Sequence, residues 1–452
     1  MIKQLKSVIR LARAMLAANR QMGVLSSGWF ILNNGGDMKT IGLICILNAA
    51  LIGAAVSATA QDFYFDSTIS RPVLENYLSR SISFTELLHD DLTQQRDERG
   101  VDPHDNLRLI LNSRAKFVGR ALMLWGHESN LARFLKTARP YAEALHQADP
   151  DIILQAAAFE IVTKDIATVA IPKRVLVEFG QAVTNRTFHY EEMLYANGHF
   201  VDHWGVGSSV PDMSRLETRM WFYFLATSYI DVGIEAVHFG QVGLMDNNDP
   251  GHAGWLDMLG RARTYAHQHA RRHLLICDAH APTGGYVENG RLLFDFHSFP
   301  LRIVAVTNQP YQGVLKVGYA DSIFQRSKGG VTPSGWDCEH LPYLVEFDNF
   351  GSHNPGKPSS SPFIWGWDEI TWFALMPEAQ RNQWLRYAWD KVRKTDPNGH
   401  LEMPGSRVLS PGSREGPHWY WANTRSAACP QGFNTEETIR EIWGTEQLPG
   451  AK

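Results

Sequence analysis

Eight short apolar runs in this chain each stop at or beside an acid, a histidine or a tryptophan. In order they read RALMLWGHE, IILQAAAFE, EAVHFGQV, HLLICDAH, LLFDFH, LKVGYAD, YLVEFDN and FIWGWDE. A strand buried on both faces has no reason to carry an ionisable residue unless that residue has emerged at a rim. Parallel strands closed into a barrel, with polar groups gathered at the C-terminal mouth, produce this pattern. The spacing agrees with it. The strand ending at Trp125-Gly126-His127-Glu128 is followed by a helical stretch, SNLARFLKTARPYAEALHQ, and then by a strand ending at Phe159-Glu160. This is the β-helix-β unit of parallel sheets. The expected fold is α/β, a (β/α)8 TIM barrel. An N-terminal helical arm (63–106), a long insertion between strands two and three (163–213) and a C-terminal extension decorate it.

The first 60 residues read as a separate segment. Residues 41–58 form an apolar run after Met38 and Lys39, and Ala58-Thr59-Ala60 places small residues at the −3 and −1 positions. That is the pattern of a secretory signal peptide cleaved between Ala60 and Gln61, preceded by an upstream extension. A single domain over 61–452, secreted or periplasmic, is the expectation, with no stable membrane insertion after cleavage. The processed chain would carry 37 basic against 46 acidic residues. A net negative balance argues against nucleic acid as a partner. Of the cysteines that remain, Cys277 falls in a strand, and Cys338 and Cys429 fall in loops where an oxidising compartment would let them pair.

Side chains two apart on a strand share a face. Asp278 and His280, Asp295 and His297, Glu346 and Asp348, and Trp365 and Trp367 are such pairs, each directed towards the mouth. Paired carboxyl groups, one protonated and one ionised, are what glycosidic bond cleavage needs, and indole faces are platforms for sugar rings. Trp125 at a strand end and Trp204 in the insertion loop GHFVDHWGVGSS extend that set.

In fold and residue types, 117–395 resembles the (β/α)8-barrel glycoside hydrolases as a superfamily. The resemblance implies a carbohydrate substrate, with Asp278 and Glu346 sharing the acid/base and nucleophile duties. Glu128, Glu160, His238, Gln241, His280, Asp295, His297, Asp321, Asp348, Trp125, Trp204, Trp365 and Trp367 would contact substrate. No cofactor or metal is called for. Two alternatives use the same mouth. One is a metal-dependent hydrolase or isomerase with Asp278/His280 and Asp295/His297 as ligands. The other is a carbohydrate-binding barrel without catalysis. Asp368 and Glu369 are expected to cap the helix that follows them.

Overall fold

The computed structural model describes residues 62–319, 324, 326–349, 356 and 357, 363–410 and 418–444. The expected leader with its cleavage point, and Asp321, lie outside the described residues. The chain folds as a mixed α/β protein around parallel strands. These are β1 (Ser81–Phe84), β2 (Phe117–Leu124), β3 (Ile153–Ala158), β4 (Ala236–His238), β5 (Ile276–Asp278), β6 (His297–Pro300), β7 (Tyr343–Glu346), β8 (Gly399–Leu401) and β9 (Met403–Val408). A tenth strand, β10 (Trp419–Trp421), pairs antiparallel with β9.

One sheet runs β10-β9-β1-β2-β3-β4-β5 and another β6-β7-β8. Backbone hydrogen bonds pass between them at both ends. Ser298 N donates to Ala279 O at 3.3 Å, and Glu402 N, at the β8–β9 junction, donates to Val345 O at 2.9 Å. The strands are apolar and almost wholly buried, as parallel strands covered by helices must be. The helices α1 (Arg71–Ser79), α2 (Pro103–Ser113), α3 (Leu131–Ala148), α4 (Leu216–Ile230), α5 (Ala253–His269), α6 (Glu369–Leu375) and α7 (Glu378–Thr395) cross between strands or precede them, and α8 (Glu436–Gly444) follows. Local chemistry starts them. Pro103 opens α2 and the Asp102 carboxylate accepts from His104 N at 2.9 Å. Asp368 caps α6 by accepting from Thr371 N at 2.6 Å, as expected, whereas Glu369 accepts from Ile303 N and Asp348 N, each at 3.0 Å.

Several sequence expectations change. The first parallel strand is SISF, inside the segment read as a helical arm, so the long insertion falls between the third and fourth parallel strands. The described part of LKVGYAD, residues 315–319, forms no parallel strand: Gly313–Leu315 makes an antiparallel hairpin with Ile303–Ala305. FIWGWDE is a tight turn bridged between Ile364 and Trp367, because Trp365 (φ 51°) and Gly366 (φ 77°) are both left-handed. Its expected place is taken by β8 and β9, in the C-terminal extension, where Pro404 and Gly405 ordinarily argue against a strand. The glycine there serves packing, since a Cβ on Gly405 would lie 2.5 Å from the Phe84 ring. No helix among the described residues is long and apolar enough to cross a membrane. Cys277, Cys338 and Cys429 are buried free thiols, so the pairing of Cys338 with Cys429 is not made.

Candidate active site

The C-terminal ends of the parallel strands converge on a buried carboxylate. Glu346, the last residue of β7, is bound through Oε1 by Arg120 Nη2 and by His280 Nε2 at 3.2 Å, and through Oε2 by Arg407 Nη1 at 3.0 Å. Arg407 also donates to Asn349 Oδ1 at 2.7 Å. Burial alone would raise the Glu346 pKa, but the two guanidinium groups and the His280 bond overcome it and hold the carboxyl well below its usual range. Glu346 is therefore a carboxylate at any physiological pH.

Arg120 reaches this position through a backbone irregularity. The register of β2 against β3 shifts between Val118 and Leu122, and Arg120 takes φ 55° inside the bulge. Bulges re-aim side chains, and a non-glycine residue in the left-handed region marks a place where geometry is bought with strain. The preceding Gly119 is an absent side chain that matters. A Cβ there would meet Glu402 Oε1 at 2.1 Å. Glu402 fills that space and accepts from Ser81 Oγ at 3.1 Å. Burial and the neighbouring Glu346 charge push its pKa up to about 8. An ionised carboxyl at the end of β7 and a protonated one at the β8–β9 junction thus lie side by side.

Because the folded state keeps a proton on Glu402 that the unfolded chain loses, the stability is full below the ordinary carboxylate range and falls as pH rises towards about 8. Glu369, likewise raised to about 8 by burial, adds to the same slope. Glu402→Gln should flatten the decline of melting temperature between about pH 5 and pH 8 without abolishing it. Thermal melts across that range check this; an unchanged slope contradicts it.

Asp278, fully buried at the end of β5, has its oxygens engaged. Gln155 Nε2 donates to Oδ1 at 2.7 Å, His238 Nδ1 donates to Oδ2 at 2.8 Å, and Ser298 Oγ also binds Oδ2. The rings of His238 and His280 meet edge-on with centroids 4.9 Å apart, so Asp278 and Glu346 are joined through two imidazoles. Asp348 pairs with Arg302 at 2.8 Å beside this group.

On the β2–β3 side the aromatic residues form a continuous run. Arg120 lies over the Phe159 ring (5.6 Å), Phe159 packs against Trp125 (5.5 Å), and Trp125 against Trp204 (5.1 Å). Trp125 is 44% exposed. Trp204 is anchored by its indole N–H to Glu160 O at 2.9 Å, and Glu160 accepts from Gln241 N and Nε2 at 2.8 and 3.0 Å.

Other expected contacts lie apart. Glu128 binds Thr163 N at 2.7 Å, tying the β2 loop to the insertion. Asp295 accepts from Cys277 N at 2.9 Å and pairs with Arg263 at 3.2 Å; His297 meets Ser327 Oγ at 3.2 Å. Asp278, His280, Asp295 and His297 therefore face four different sets of partners and do not converge as metal ligands. Trp365 and Trp367 are buried, so their rings offer no open face. Among the described residues one group has the spacing to hold a metal ion, His189, Glu192 and Glu217, and Arg186 already binds Glu217 through both oxygens at 2.6 and 2.9 Å. Arg120, Arg407 and Glu402 were not singled out from the sequence. The rule that marked the strand-end acids applies to them equally: a charged residue inside KFVGRALML or HLEMPGSRVL needs a buried partner.

No protein-family model and no curated protein matches this chain. Among solved structures it is similar to the native form of the Nostoc punctiforme debranching enzyme. That likeness has a TM-score of 0.43 at 10% identity and covers 85% of this chain and 81% of that one. An acarbose-soaked form of the same enzyme gives 0.42 at 11% identity, over 83% and 82%.

Proposed function

We propose that the protein is a glycoside hydrolase whose site lies at the C-terminal ends of eight parallel strands, with β8 and β9 acting as one strand and the two sheets forming a single (β/α)8 barrel. The observation that carries this reading is Glu346, an ionised carboxylate held by Arg120, Arg407 and His280 beside an aromatic run that includes the exposed Trp125. A carboxylate fixed in this way can stabilise or attack the anomeric carbon as positive charge develops there, and its arginines keep it anionic in the dry interior. Trp125 and Trp204 supply the apolar face on which a sugar ring stacks. The proton for the departing oxygen comes from His280, the partly exposed imidazole whose Nε2 lies 3.2 Å from Glu346. Asp278, expected from sequence to share the chemistry, is instead assigned to orienting His238.

Purified protein assayed against para-nitrophenyl α- and β-glycosides, and against polysaccharides by release of reducing ends, tests the reading. Hydrolysis of at least one substrate, lost in Glu346→Gln, is expected. Saturable glycan binding with no bond cleavage would replace it with the binding-barrel alternative. We also propose export, with cleavage between Ala60 and Gln61; an N-terminus of the exported protein at any distant residue contradicts that part.

A further inference from the structure

His238 holds a hydrogen-bonding atom that no described residue uses. The side chain is 1% exposed, and its Nε2 has no hydrogen-bond partner among the described residues. A buried polar atom without a partner costs free energy and calls for an explanation. The opposite edge of the ring is over-determined. Nδ1 faces Asp278 Oδ2 at 2.8 Å, and the Ser298 hydroxyl, 3.2 Å from Nδ1, spends its own proton on the same Asp278 oxygen. A lone pair at Nδ1 would point at a carboxylate oxygen, so Nδ1 carries the proton. Burial disfavours the imidazolium, which leaves the ring neutral despite the pull of Asp278. Neutral imidazole with Nδ1–H has a lone pair at Nε2.

That lone pair points away from Asp278, Gln155 and Ser298. The rings of His280 (4.9 Å) and Phe159 (5.9 Å) pack against His238 at steep interplanar angles. Both of those rings are partly exposed, and they flank Glu346 and the Trp125 run. Resting on the glycosidase reading above, we propose that His238 Nε2 accepts a hydrogen bond from one substrate hydroxyl, with Asp278 and Ser298 as the positioning residues that fix the tautomer.

The consequence is chemical selectivity. An acceptor-only atom takes a hydroxyl, amide or ammonium proton and repels a carboxylate or sulfate oxygen, so the ring position read by His238 carries a free hydroxyl, an acylamino or an amino group. A site built to satisfy a buried polar group discriminates strongly against an analogue that lacks the matching group.

The test uses the para-nitrophenyl glycoside that the wild type hydrolyses best, together with its analogues in which each ring hydroxyl in turn is replaced by hydrogen. Asparagine in His238→Asn places an amide donor near Nδ1 and removes Nε2. We expect kcat/KM to fall by about tenfold or more. One deoxy analogue should lose as much with the wild type, and that analogue should lose little further with His238→Asn. Additive losses for every analogue, or a variant with wild-type kinetics, overturn the assignment. Nitrogen NMR of histidine-labelled protein supplies a readout independent of activity and of the variant's folding. A His238 signal with a protonated Nδ1 and an unprotonated Nε2 is expected, and a protonated Nε2 overturns the inference. Failure to hydrolyse any glycoside would defeat the parent reading, while the NMR result would still decide the tautomer.

Discussion

Glu346→Gln should reduce kcat by about a thousandfold, within the range measured when a proton-transferring or charge-stabilising group is removed. The same change should cost about 3–5 kcal/mol of stability, because it leaves Arg120 and Arg407 buried without their counter-ion. With side-chain exposures of 10%, 2% and 1% for Arg120, Glu346 and Arg407, solvent screens this triad little. The two effects separate in a single pair of measurements: single-turnover kinetics on the folded fraction, and denaturant midpoints. Glu346→Asp keeps the charge while withdrawing it by one methylene, so it should recover much of the stability and little of the turnover. Equal recovery of both would mean that Glu346 is a structural anion only.

Asp278→Asn should be the next most damaging change, for a different reason. Three donors converge on the Asp278 carboxylate from Gln155, His238 and Ser298. An asparagine offers one acceptor oxygen and an amide that faces donors, so at least one buried donor is left unsatisfied at about 1–3 kcal/mol. His238 would also lose the partner that fixes its tautomer, and kcat/KM should fall with a KM component that Glu346→Gln lacks. Denaturant melts and steady-state kinetics check both parts. A variant as stable as wild type would contradict the convergent geometry.

The strand-end rule picked out Glu346 because desolvation leaves so little freedom. An acid after YLV or IILQAAAF has to be paired, capped or at a rim, and Glu346 is paired at one. The rule failed where length and residue type hide a strand. SISF is only four residues between a helix and a polar loop, and β9 contains the proline and glycine that ordinarily end strands. It gave false strands where aromatic runs fold back on themselves, as at Trp365-Gly366. The partners of Glu346 were illegible for a further reason. Arg120 owes its position to a bulge, and Arg407 and Glu402 to a strand the pattern had not recognised. An apolar flank says that such a charge needs a buried partner, but nothing local in the sequence says which partner it takes.

The central claim is that water adds across a glycosidic bond at this mouth. Hydrolysing the best glycan substrate in heavy-oxygen water and reading the products by mass spectrometry tests it most directly. The account predicts that each new reducing end carries one heavy oxygen at the anomeric carbon, and that Glu346→Gln produces none at a comparable rate. Products with an unsaturated non-reducing end and no incorporated oxygen, or cleavage that survives Glu346→Gln in full, would contradict it.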